Sequence, residues 1–132
     1  MKTFNQILLG IFIIAGINMK LFAQLSPDEQ KLLGEWKAEV DDPNAGICTI
    51  YVTWYENHTA DAAFICKEFD PEYITVRWSY DGKYYYETFN GGGKGKAEIR
   101  WINDDEFELK IIENQDTETY KDVVRVFKRV DS

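Results

Sequence analysis

Apolar and polar residues alternate with a period of two along most of the chain after residue 34. Such alternation predicts β-strands with one buried face and one solvent-exposed face. Turn-forming segments such as DDPNA, EFDPE, NGGGKG and NQDTET interrupt the pattern at short intervals. The pattern therefore predicts an all-β fold of about eight antiparallel strands in an up-and-down meander. Closing the meander into a barrel would remove its exposed edges.

A short helix is predicted ahead of the first strand, in the segment SPDEQKLLGEW. Ser26 is a favoured N-cap residue, Pro27 suits the first helical position, and Glu29 completes an S-x-x-E capping box. Gly34 is expected to end the helix.

The register of one hairpin, in the segment GICTIYVTWYENHTADAAFICK, follows from its apolar positions. A three-residue loop at residues 56–58 places Trp54 opposite Ala60 and Cys48 opposite Cys66. A slip of one residue would break the apolar face and the cysteine pairing together. An even number of cysteines also favours a disulfide if the chain is exported, which the N-terminus predicts below. The register therefore predicts a Cys48–Cys66 bond.

Two further hairpins are predicted downstream. In KAEIRWINDDEFELKII a turn at residues 103–105 places Trp101 opposite Phe107. In YITVRWSYDGKYYYETF, Asp81-Gly82 indicates a two-residue type I′ turn. That turn pairs two sets of inward-facing residues, namely Ile74, Val76, Trp78 and Tyr80 with Lys83, Tyr85, Glu87 and Phe89.

The N-terminus has the features of a secretory signal peptide. Lys2 precedes an apolar run of about eleven residues, 7–17, which is well short of the ~20 needed to span a bilayer. Cleavage after Ala23 would divide the chain into a signal peptide, 1–23, and one domain, 24–132. The alternative is an uncleaved membrane anchor. Cleavage predicts a secreted or periplasmic protein without stable membrane insertion.

The charge of the chain excludes several partners. The 132 residues carry a formal net charge of −8, and the signal peptide holds Lys2 and Lys20 and no acidic residue. Removing those two positive charges takes the net charge from −8 to −10. Such an acidic surface repels nucleic acid and anionic lipid head groups.

Candidate catalytic, cofactor and metal motifs are weak. The glycine-rich segment FNGGGKGKAEIRW does not fit the G-x-x-x-x-G-K-[ST] pattern, and a strand rather than a helix follows it. It is therefore expected to be a rim loop. The only histidine, His58, lies in a predicted turn, and the two cysteines are expected to pair, which leaves too few ligands for zinc. We expect no enzyme activity, no cofactor and no metal.

Gly34 and Trp36 in LLGEW form a G-x-W motif at the start of the first strand, and this resembles the lipocalins and other calycins. The resemblance implies an eight-stranded barrel in which Trp36 packs at the closed end. It also implies a cation–π partner near the end of the last strand, for which Arg125 and Arg129 are both candidates. The T-D-Y segment of lipocalins is absent, and the chain is short. It looks more like the compact lipocalin-like domains that bacteria export.

This resemblance implies a non-enzymatic protein that binds a small apolar or amphiphilic ligand in the barrel mouth. Lys94 and Lys96 are expected at the rim, where they would attract an anionic head group. Glu87 either orients the ligand or occupies a rim position or a shifted register. The candidate ligand-binding residues are Trp54, Trp78, Tyr85, Glu87, Trp101, Lys94 and Lys96.

The alternative is a glycan- or protein-binding module without a lumen. Aromatic residues make up 15% of the chain, and the inward-facing rings of so small a barrel could fill it. Binding would then use rim loops or the outward tyrosines, which include Tyr51, Tyr55, Tyr84 and Tyr86.

Overall fold

A computed structural model describes residues 24–42, 44–113 and 122–130. Eight antiparallel strands form a closed barrel in chain order, with one short helix in front of them. The elements are α1 (Pro27–Gln30), β1 (Gly34–Asp42), β2 (Gly46–Trp54), β3 (Thr59–Cys66), β4 (Glu72–Tyr80), β5 (Tyr84–Thr88), β6 (Lys94–Asn103), β7 (Glu106–Glu113) and β8 (Val124–Arg129). The predicted all-β, up-and-down barrel is confirmed. The predicted signal peptide and the NQDTET connection lie outside the described residues.

Two of the predicted hairpin registers are confirmed. In the β2–β3 pair, Trp54 lies opposite Ala60 and Cys48 opposite Cys66, and the two cysteines form a disulfide. In the β6–β7 pair, Trp101 lies opposite Phe107. In both hairpins the side chains of one face are buried and those of the other are largely exposed, so the apolar pattern selects the register.

The predicted type I′ turn at Asp81-Gly82 is wrong. Tyr80 pairs with Tyr85 rather than Lys83, and the connection between β4 and β5 consists of residues 81–83. The Asp81 carboxylate accepts hydrogen bonds from the backbone N–H groups of Lys83 and Tyr84, which stabilises the observed turn. The backbone N–H of Tyr80 donates to the Glu29 carboxylate of α1 rather than to a backbone carbonyl of a neighbouring strand.

The helix α1 is closed by its capping box and is fixed across one end of the barrel by Glu29. The Ser26 hydroxyl accepts from the Glu29 N–H, and a Glu29 oxygen accepts from the Ser26 N–H. The other Glu29 oxygen lies 3.1 Å from Nε2 of His58, in the β2–β3 turn, and 3.2 Å from the Tyr80 N–H. We call this the closed end, and the opposite end the mouth. The helix ends at Gln30, ahead of Gly34.

Aromatic rings fill the closed half of the barrel. Trp36 is fully buried, with its ring centroid 4.9 Å from that of Phe107 and 5.9 Å from that of Trp101. The Phe107 ring is stacked on Phe127 at 5.3 Å. Because alternate strands reverse, the glycine-rich connection and the disulfide lie toward the mouth.

The Glu29 carboxylate should stabilise the fold in a pH-dependent way. Burial raises its pKa, but hydrogen bonds from Ser26, His58 and Tyr80 outweigh that effect and hold the pKa below its ordinary value. Its contribution is therefore present at neutral pH and is lost as the pH falls through this lowered pKa. We expect Glu29→Gln to cost about 1–2 kcal/mol in urea unfolding at pH 7.

The same experiment at about pH 3 should show a smaller difference, because the wild-type carboxyl is then increasingly protonated. Glu56→Gln removes an exposed carboxyl from the adjacent turn and is the matched control, with an expected change within about 0.5 kcal/mol. A Glu29→Gln penalty that is constant with pH would contradict the assigned role of the charge.

Candidate functional site

Arg129 seals the closed end over Trp36. The guanidinium carbon lies 4.3 Å from the ring centroid of Trp36, and the indole N–H donates to the Leu32 carbonyl at 2.9 Å. Arg129 also donates to the Leu33 and Asp104 carbonyls and pairs with the Asp105 carboxylate at 2.9 Å. Of the two candidate arginines, Arg129 is thus the one that covers Trp36. These contacts hold the Arg129 guanidinium over the Trp36 ring.

A polar chain crosses the barrel interior between the closed half and the mouth. Trp54 Nε1 donates to the Tyr85 hydroxyl at 2.8 Å, and that hydroxyl donates to Glu87 Oε1 at 2.9 Å. Arg125 lies on the inner face of β8, because it pairs with the buried Leu109. Trp54 and Tyr85 are only 2% and 3% exposed. We call Trp54, Tyr85, Glu87 and Arg125 the interior polar chain.

The electrostatics of this chain follow from its burial. Burial raises the pKa of Glu87, while the Tyr85 hydrogen bond and the positive charge of Arg125 partly oppose the rise. Burial and the neighbouring Glu87 charge also raise the pKa of Tyr85 well above its ordinary value. Tyr85 therefore remains a neutral donor, and Glu87 accepts a proton more readily than an exposed carboxylate does.

The mouth half of the interior has apolar walls. Its side chains are less deeply buried than those of the closed half. Glu87 pairs with Gly95 on one side, so no side chain from that position adjoins it. On its other side it pairs with Trp78. Half-buried apolar residues that pack against the core line the rest of this region, and they include Val40, Ala62, Phe64, Phe89 and Val123. The arrangement combines apolar walls with one charged, hydrogen-bonded centre.

Four of the predicted ligand-binding residues lie together. Trp54, Tyr85 and Glu87 belong to the interior polar chain, and the Trp78 ring is stacked on Tyr85 at 6.4 Å between centroids. Trp101 lies apart from them at the closed end, where it packs against Trp36 and under the Lys31 ammonium.

The two predicted rim lysines lie on the outside of the barrel. Lys94 and Lys96 are residues of β6 that pair with the outward-facing Thr88 and Tyr86. The Lys96 ammonium is 4.3 Å from the Tyr84 ring centroid and 5.8 Å from that of Tyr86. Neither lysine is part of the interior polar chain.

Arg125 is an interior residue that the predicted ligand-binding set does not include, since the lipocalin resemblance makes it only a candidate partner of Trp36. A signal was present, because Arg125 alternates with Phe127 and Arg129 on the inner face of β8. A charged residue on the inner face of a strand is unusual and needs a partner.

The described residues set further bounds on function. Nowhere in 24–42, 44–113 or 122–130 are three or more His, Cys, Asp or Glu side chains grouped so that they could hold a metal ion. The only helix in those ranges, α1, is far too short to cross a membrane. No protein-family model matches the chain, and no curated protein matches its sequence.

Proposed function

We propose that this chain is an exported, lipocalin-like binding protein that takes a small amphiphilic ligand with an anionic head group into the mouth of its barrel. The observation that carries this proposal is the interior polar chain. A barrel that needed only a packed core would fill this level with apolar side chains, because burying charged groups is costly. An arginine and a glutamate at this level favour a binding role.

The ligand chemistry follows from the surroundings of Arg125. A guanidinium binds carboxylate and related anions with paired N–H donors. The apolar walls toward the mouth would contact a hydrocarbon chain. In the ligand-free protein the Glu87 carboxylate partly neutralises Arg125, so an anionic head group would compete with Glu87 for it.

Export is the second element of the proposal. The disulfide between Cys48 and Cys66 fits an oxidising compartment such as a periplasm or the extracellular space. The short apolar run after Lys2 supports removal of residues 1–23 as a signal peptide.

Fluorescence titration with palmitate tests the ligand site. Trp54 is hydrogen-bonded to Tyr85, so a ligand reaching the interior polar chain should change indole emission. We expect Arg125→Gln to weaken palmitate binding at least about tenfold, because it removes the cation. Glu87→Gln should strengthen binding, because it removes the competing carboxylate.

Lys96→Ala is the matched control, since it removes a cation from the outer face of the same barrel. It should leave palmitate affinity unchanged. A melting curve for each variant separates lost binding from lost folding. An absence of any fluorescence response, or equal palmitate affinities for Arg125→Gln and wild type, would refute the mouth site.

The second candidate function, a binding module that uses its outer surface, is favoured by a different observation. A groove lined by tyrosines crosses the outer surface of β1 to β4. In addition, the aromatic rings that fill the closed half limit the volume available to a ligand inside the barrel.

A further inference from the structure

The outer groove has two tyrosine walls and a small residue between them. Ala63 of β3 lies opposite both Tyr51 of β2 and Tyr73 of β4, so the three side chains form one row across the sheet. The groove has a volume of about 440 Å³. We call it the tyrosine groove. It lies on the opposite face of the sheet from the interior polar chain.

The width of the groove leaves room for a sugar ring. The backbones of Tyr51 and Tyr73 lie two strand spacings apart, about 9.6 Å. Tyr73 is 72% exposed and Tyr51 36%. Alanine is a poorer strand former than aromatic or β-branched residues. Here its small size leaves the space between the walls open.

Fixed polar groups lie one row away, toward the closed end. Thr53, Asp61 and Thr75 are paired across β2, β3 and β4. The Asp61 carboxylate accepts from the Thr75 hydroxyl at 2.6 Å and from the Tyr55 hydroxyl at 3.1 Å. These bonds hold the carboxylate in place and still leave it lone pairs for further donors.

The lining of the groove is acidic, and two cations lie beyond it. Glu35 and Asp61 contribute two negative charges to its lining. Lys37 pairs with Tyr51, and Arg77 lies two residues beyond Thr75 on the same outward face. Acidic acceptor oxygens beside aromatic walls disfavour an anionic ligand and suit one that donates hydrogen bonds from hydroxyls.

We propose that the tyrosine groove binds a neutral carbohydrate. The apolar C–H faces of a pyranose ring would pack against Tyr73 on one side and Tyr51 on the other, since aromatic side chains provide large apolar surfaces with a polar end. Its hydroxyls would donate to Asp61 and exchange hydrogen bonds with the threonine hydroxyls. This site is separate from the mouth and goes beyond the amphiphile function.

Affinity electrophoresis of the full chain tests the proposal, in gels that contain starch, xylan, galactomannan or mixed-linkage β-glucan. An array of neutral oligosaccharides extends the panel. We expect retardation by at least one glycan. Tyr73→Ala should weaken it at least about tenfold through loss of a central aromatic contact. Ala63→Phe should do the same by filling the groove, while keeping a residue that strands favour.

Tyr86→Ala is the matched control, because Tyr86 is an outward-facing tyrosine of β5 that is 37% exposed. The Tyr86→Ala variant should bind the same glycan with the affinity of the wild type. The Arg125→Gln variant should do so as well, because its substitution lies inside the barrel. The proposal is overturned if no glycan of the panel binds or if Tyr86→Ala is as damaging as Tyr73→Ala. It is also overturned if a lysine-rich peptide occupies the groove while no neutral glycan does.

Discussion

Replacing Trp36 with alanine is expected to destabilise the protein by about 3–5 kcal/mol, the usual range for deleting a large buried ring. Trp36 is fully buried and packs on Phe107 and Trp101. The same change removes the surface that the Arg129 guanidinium covers and leaves the Leu32 carbonyl without its indole donor. Chemical denaturation monitored by far-ultraviolet circular dichroism measures the loss.

Two companion variants separate the causes of that loss. Trp36→Phe keeps an aromatic ring in the cluster but loses the indole N–H, so it should cost less than alanine. Arg129→Met keeps an apolar stem of similar length and loses the cation and its bonds, at an expected cost of about 1–2 kcal/mol. A melting shift of only a few degrees for Trp36→Ala would mean that the closed end does not depend on this ring.

The sequence could predict the barrel and most of its registers because each hairpin has one apolar face. Pairing Trp54 with Ala60, or Trp101 with Phe107, buries the whole set, whereas a one-residue slip exposes it. The capping box was predictable because it is local: Ser26 and Glu29 are only three residues apart in the sequence.

The β4–β5 turn was not predictable from local residues. Asp81-Gly82 favours a two-residue turn on its own, but α1 packs against this turn. Glu29 takes the Tyr80 N–H, and a side chain at Gly82 would lie within 2.8 Å of Asp28. These contacts join parts of the chain that are far apart in sequence, so a local turn signal does not contain them.

In the candidate site, too, some features follow from the local sequence pattern and others depend on contacts between distant parts of the chain. Period-two alternation places Trp54, Tyr85 and Glu87 on the inner face. That Arg125 approaches Glu87 depends on how β8 closes against β1, which is a property of the whole barrel. Lys94 and Lys96 were expected at the rim, near the mouth, but β6 begins at Lys94, and the alternation turns both side chains outward.

Removing the Cys48–Cys66 disulfide is expected to cost about 3 kcal/mol, since it closes a loop of 18 residues in the unfolded chain. Reduction of the wild type should therefore lower Tm by roughly 10 °C or more. Reduction tests the cross-link at constant side-chain volume, whereas Cys48→Ala with Cys66→Ala adds a packing loss at the buried Cys48.

The double variant is also the control for the reductant. Its Tm should not change with dithiothreitol, because it contains no disulfide to reduce. Circular dichroism of the reduced wild type below its Tm should still show the β-barrel, since every strand keeps two hydrogen-bonded neighbours without the bond. Equal melting temperatures for oxidised and reduced wild type would show that the cross-link does not constrain the unfolded chain as the loop-closure argument requires.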